Sequence, residues 1–285
     1  MIRTILALAA LTLGGACAQL PKAQLQAYSD AFAATRTAAE PMLADYAVAE
    51  RDVRLAVMEQ DPDRHYDGFF PVFRPSDSAA LTTVALPPGA AALDRSFRAV
   101  AAYNGTLVAL AENRNIEEAR GQVAQVIDNL SAIAPPLAGA GPAAKPVADL
   151  LITALRPAIE ADNRAEFRRI VLSGEPHVQA LIDLLRDYTP TQYSITTTAL
   201  RNKARMDPPP PDRDEAVARI NAWHKAFADY VALLDAMKAR LSELREAVAN
   251  PRSQPLLQRA ATGSAELRSY ADALRLSLAE VRAHP

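Results

Sequence analysis

The side chains with chemistry to offer are few and scattered. There are four histidines, His65, His177, His224 and His284, and no two share a helix at the spacing that would let both grip one metal ion. Glu175 and His177 stand two apart, whereas di-iron bundles use a Glu-x-x-His spacing of three. No C-x-x-C-H, H-E-x-x-H, G-x-S-x-G or phosphate-cradling glycine loop occurs. Asp61, Asp63 and Asp67 with Gly68 are calcium-loop residue types, but their spacing departs from the EF-hand and no glutamate closes the loop. Trp223-His224 would suit a ligand, yet Trp223 falls on an apolar helical seam, which makes it core and puts His224 at the rim. Arg201, Lys203 and Arg205 could meet acidic headgroups; they also end a helical stretch, where cations sit at the negative pole of the helix dipole. The expectation is a protein with no catalytic residues, no metal and no cofactor.

One stretch has a different character. "DPDRHYDGFFPVFRPSDS", residues 61–78, gathers Tyr66, Phe69, Phe70 and Phe73 in a chain with only 7 Phe, 8 Tyr and 1 Trp. It lies within a connection, 59–90, of about 30 residues, well beyond the usual length between helices. Pro71, Pro75 and Gly68 keep that backbone out of a regular helix. The rings must then find apolar cover, either as a plug for the open end of the bundle or on a partner or membrane. The plug is the expectation.

The single cysteine stands at position 17. Before it come a basic head at Arg3, an apolar run from Ile5 to Leu13, and the small residues Gly14, Gly15 and Ala16. That is the order of a secretory signal peptide, too short to stay as a membrane-spanning helix. Two fates follow. Ala16-Cys17-Ala18 forms an A-x-A cleavage site that would release a soluble chain starting at Gln19. Alternatively, Leu13 to Cys17 resembles a bacterial lipobox, with Gly14 where Leu is usual three positions before the cysteine. That resemblance implies a lipid on Cys17, which would be the membrane attachment. Ala18 in place of Asp implies the outer membrane. In neither case is there a cysteine pair, so disulfides do not stabilise the mature chain.

Composition narrows the classes. Charged residues make up 22% and the net charge is -2, so no basic field exists for nucleic acid. Half the residues are apolar but aromatics are only 6%, because alanine fills so many apolar positions.

Those positions recur every three or four residues. Ile220, Trp223, Phe227, Tyr230, Leu234, Met237, Leu241, Leu244 and Val248 lie on one seam of a helix about 50 Å long. Asp212 and Glu215 suggest a capping box at its start, and Asn250-Pro251 a stop. Leu257, Ala260, Ser264, Leu267, Ala271, Leu274, Leu278 and Val281 form the seam of a second helix folded back on the first. Leu25 to Val53 keep one phase across Pro41, which predicts a single bent helix. Leu93 to Leu107 and Ile116 to Ile133 form another hairpin around Asn113-Arg114-Asn115. From 147 to 206 the pattern is helical, with interruptions expected at Pro157, Gly174-Glu175-Pro176 and Thr189-Pro190. Residues 207–212, "DPPPPD", read as a stiff spacer. The expected fold is all-α: an elongated antiparallel bundle of about six or seven helices with coiled-coil-like hairpins. Its expected parts are a signal peptide (1–17), an N-terminal bundle (18–206), the spacer, and a C-terminal hairpin (213–285).

The functional expectation is a non-enzymatic bacterial envelope protein. It would be lipid-anchored through Cys17, act as a helical scaffold or adaptor, and have an envelope protein as partner. A periplasmic module holding a small molecule in an apolar site between helices is the second reading.

Overall fold

The longest seams become the longest helices. In the computed structural model, which describes residues 22–60, 66–67, 70–132, 144–206, 211–250 and 253–284, the chain is an all-α bundle. Its helices are α1 (Lys22–Glu59), α2 (Ser78–Leu81), α3 (Pro88–Ala111), α4 (Ile116–Ser131) and α5 (Ala144–Ile159). They continue with α6 (Arg164–Asp187), α7 (Thr189–Thr196), α8 (Thr198–Ala204), α9 (Arg213–Ala249) and α10 (Gln254–Ala283). A two-residue antiparallel pairing of β1 (Tyr66–Asp67) with β2 (Phe70–Pro71) interrupts the first long connection.

Contacts between helices set their directions. Lys225 pairs with Glu280 at 2.8 Å and Arg240 with Glu266 at 3.5 Å, so α9 and α10 run antiparallel. Arg186–Asp235 and Lys238–Asp183 make α6 and α9 antiparallel, and Tyr103 Oη donating to the Val171 carbonyl with Arg164 Nη2 donating to that of Leu110 does the same for α3 and α6. Arg268 and Arg275 instead donate to the carbonyls of Ala27 and Ala34, numbers that rise together, so α1 and α10 run parallel. The chain thus makes seven passes that reverse each time: α1, α3, α4, α5, the run α6–α8, α9 and α10. The first and last passes share a direction because both are odd-numbered, and their contact closes the bundle.

One core cluster takes in residues from α1, α3, α4, α5, α6, α9 and α10. From Trp223 to Val248 every expected seam residue of α9 is buried, with Leu234 and Leu241 fully so. Alanines such as Ala31, Ala38, Ala39, Ala92 and Ala99 fill many contact positions, which lets backbones approach closely but buries little area per contact. At Gly174 the approach is so close that a Cβ would lie 2.6 Å from Leu155 Cδ2.

Local chemistry explains the element ends. Asn113 takes a left-handed φ of 58°, a conformation asparagine tolerates, and Asn115 Oδ1 then accepts the Glu117 N–H to start α4. Asn163 Oδ1 accepts the Glu166 N–H to start α6. Pro41 lies inside the single helix α1 as expected.

Three expectations need correction. α6 continues through Gly174-Glu175-Pro176, because packing of Val171, Gly174 and Val178 into the core outweighs the one backbone donor that Pro176 lacks. Pro157 likewise lies inside α5, close enough to its end to leave only the last residues beyond it. Asp212 makes no capping bond to α9; its carboxylate pairs with Lys203 across the 207–212 connection instead. Residues 207–210 lie outside the described part of the chain, as does Ile133.

Candidate functional site

Alternating passes sort the connections by end. The turns 112–115 and 160–163 and the crossing from Asn250 to Ser253 lie at the end where α1 begins. The chain leaves α1, α4 and α8, and enters α3, α5 and α9, at the opposite, distal end. There the described surface is unusually apolar. Of the twelve large hydrophobic residues exposed among the described residues, seven fall in the range from Val48 to Leu86, Met206 follows the end of α8 and Val217 lies in the first turns of α9.

The first connection holds most of them and is tied down by polar contacts. Arg51 on α1 donates to the carbonyls of Thr82 and Ala85. Asp77 Oδ2 accepts the Arg74 N–H, and Ser78 Oγ donates to the Pro75 carbonyl. Where the chain re-enters the bundle, Glu50 is 5% exposed and accepts the N–H groups of Gly89 and Ala90 at 3.0 and 2.9 Å. These are donors of the first turn of α3, which have no partner within their own helix, and a carboxylate is favoured there by the dipole. Arg54 holds the same carboxylate at 3.0 Å. Gly89 is required by this approach, since a Cβ there would lie 2.7 Å from both Glu50 Oε2 and Tyr46 Oη. Tyr46 Oη meets Tyr188 Oη at 2.9 Å, linking α1 to the junction of α6 and α7. Burial pushes both phenols above their ordinary range, with their mutual hydrogen bond raising Tyr46 further and drawing Tyr188 down.

Phe73, whose side chain is described, does not plug the end of the bundle. Phe73 is 67% exposed and Val72 is exposed beside it, so neither caps the core. The reason is geometric: the connection returns along the flank of α1 through Arg51, leaving Phe73 turned to solvent. Tyr66 and Phe70 lie in β1 and β2, while Phe69 and Cys17 lie outside the described residues.

A second feature lies where the fifth pass breaks. Pro190 supplies no N–H for the Arg186 carbonyl, so α6 ends at Asp187 and α7 begins at Thr189. Beside this break a cleft of about 640 Å³ opens against α9, lined by Arg186, Thr189, Tyr193, His224, Phe227 and Val231 among others. Its rings are ordered: Tyr193 lies 5.8 Å from His224 at 44° and 5.6 Å from Phe227 at 83°. Trp223, buried as its seam position implied, lies 5.8 Å from Phe227. Gln192 and Tyr230, both almost wholly buried, come from the same stretches of α7 and α9. The amide is near enough to draw the Tyr230 pKa down against the burial that raises it. Yet neither amide atom nor the phenol completes a hydrogen bond of ordinary geometry. Such a group costs about 1–3 kcal/mol when buried unsatisfied.

Other polar pairs cross the helix contacts. Ser242 Oγ donates to Glu175 Oε1 at 2.8 Å, and Ser277 Oγ donates to Asp229, each joining α9 to a neighbouring helix. Arg201 and Lys203 end α8 as expected, and Arg201 also bonds the Ser194 carbonyl and hydroxyl. Among the described residues no three His, Cys, Asp or Glu side chains are grouped to hold a metal ion, and no helix is long and apolar enough to cross a membrane.

The cleft was only half visible in the sequence. Thr189-Pro190 marked the break and Trp223-His224 the rim, but nothing local says that Tyr193 faces His224 from another helix. Compared with family models, curated proteins and solved structures, the chain finds no match.

Proposed function

We propose that this is a non-enzymatic scaffold of the bacterial envelope, anchored by lipid on Cys17 and presenting its distal end to an envelope protein. The observation that carries the reading is the separation of the two ends. α1 begins at Lys22, five positions after Cys17, and its 38 residues span about 57 Å at 1.5 Å per residue. An anchor at one end would hold the exposed Phe73, Leu81, Val84 and Leu86 far from the membrane surface that carries it. Side chains of this kind concentrated at one end suit protein contact, where aromatic anchors dominate the energetics. The outer membrane, facing the periplasm, is the compartment that Ala18 supports.

Two measurements test this. In the native host the protein should incorporate labelled fatty acid and sediment with membranes, and Cys17→Ser should abolish both. An intact mass starting at Gln19 sinks the anchor. A photo-crosslinking residue at position 73 should trap an envelope protein, whereas the same residue at Glu117, exposed in the first turn of α4 at the opposite end, should not. Equal trapping at both positions, or none at 73, removes the distal end as the contact surface.

A further inference from the structure

We infer that the cleft between α7 and α9 binds a small uncharged molecule with a flat ring. This site is separate from the distal surface and does not depend on the anchor. Its volume of about 640 Å³ lies within the range of ligand pockets rather than of packing defects.

The wall chemistry selects the class. Aromatic residues are 6% of the chain, yet Tyr193, Phe227 and the imidazole of His224 all line this one cleft. Tyr193 is edge-on to Phe227 and tilted against His224, an arrangement that leaves both ring faces and ring edges for a flat guest. Val231, Ala228 and Pro190 supply the remaining apolar surface. The formal charges of Arg186 and Asp187 cancel, and Arg186 is already engaged by Asp235 at 3.0 Å. An ion would gain little from such a wall, so the guest is neutral.

The test uses the purified full chain and N-phenyl-1-naphthylamine, a neutral two-ring fluorophore with one N–H. Trp223 is the only tryptophan, and its ring centre lies 5.8 Å from that of Phe227 on the cleft wall. Bound probe should therefore quench Trp223 and emit by energy transfer, saturably and at one site. Ala228→Phe fills the cleft from an exposed position and should weaken binding at least tenfold with an unchanged unfolding temperature. His224→Ala, also exposed, removes one ring and should weaken it several-fold, which keeps the test valid if Ala228→Phe disturbs folding. Absence of saturable transfer, or binding untouched by both Ala228→Phe and His224→Ala, overturns the site. Equal or tighter binding of the sulfonated analogue anilinonaphthalene sulfonate overturns the assignment to neutral ligands.

Discussion

The two ends of this bundle are made by the same alternating chain and look nothing alike. At the end where α1 starts, the chain reverses within a few residues and polar groups lock the turns. Arg120 donates to the Ala161 carbonyl, Arg164 to those of Arg114 and Leu110, and Asn115 and Asn163 cap the departing helices. At the distal end the connections are longer, and among the described residues the one after α1 carries Val72, Phe73, Leu81, Val84 and Leu86 into water. Both ends must satisfy the free groups of helix termini, but only the first does so with the shortest available chain. Length beyond what reversal needs, with apolar residues left outside the core, is the feature on which the proposed contact surface rests.

Substitutions at four positions probe that contrast. The largest effect belongs to neither end: Leu241→Ala removes a fully buried side chain beyond the midpoint of α9 and should cost about 2–5 kcal/mol in chemical unfolding. Phe73→Ser, by comparison, should stay within about 0.5 kcal/mol, as exposed positions do. If the two prove equal, Phe73 is part of the core and the distal surface disappears from the account.

Next comes Glu50→Ala at the distal end. It strips the acceptor from Gly89 and Ala90 and should cost about 1–3 kcal/mol, with Glu50→Gln losing less because one acceptor remains. Hydrogen exchange should then rise first at the start of α3. Exchange that rises evenly over the molecule would mean the carboxylate does not specifically fasten the first connection.

A smaller loss than that of Glu50→Ala is expected at the tight end. Asn163→Ala removes a side-chain cap from α6 and should cost about 1 kcal/mol, read as a lower unfolding temperature. A loss as large as that of Leu241→Ala would show that the turns, not the seams, carry the bundle's stability.

Much of the architecture was legible before any coordinates. Helical periodicity is a local property: Trp223 through Val248 and Leu25 through Tyr46 had to share one face whatever they packed against, and the sequence spacing shows it. The hairpin at Asn113-Arg114-Asn115 was equally plain, since asparagine supplies both the left-handed residue and the cap. Proline misled where tertiary packing prevailed. Pro176 and Pro157 remain within helices because the apolar faces around them are held on both sides of the break, a force that no local rule contains.

What the sequence by itself determined, then, is the set of helices, their apolar faces and the alternation that short connections impose. Only the tertiary structure decided which face meets which. Most seams here are mixtures of leucine, valine and alanine, so one is chemically much like another, and the parallel contact of α1 with α10 depends on shape and chain closure. The exposure of Phe73, the seating of Glu50 on the start of α3 and the meeting of Tyr193 with His224 all follow from that choice. Each joins residues dozens of positions apart, and periodicity carries no information over such a distance.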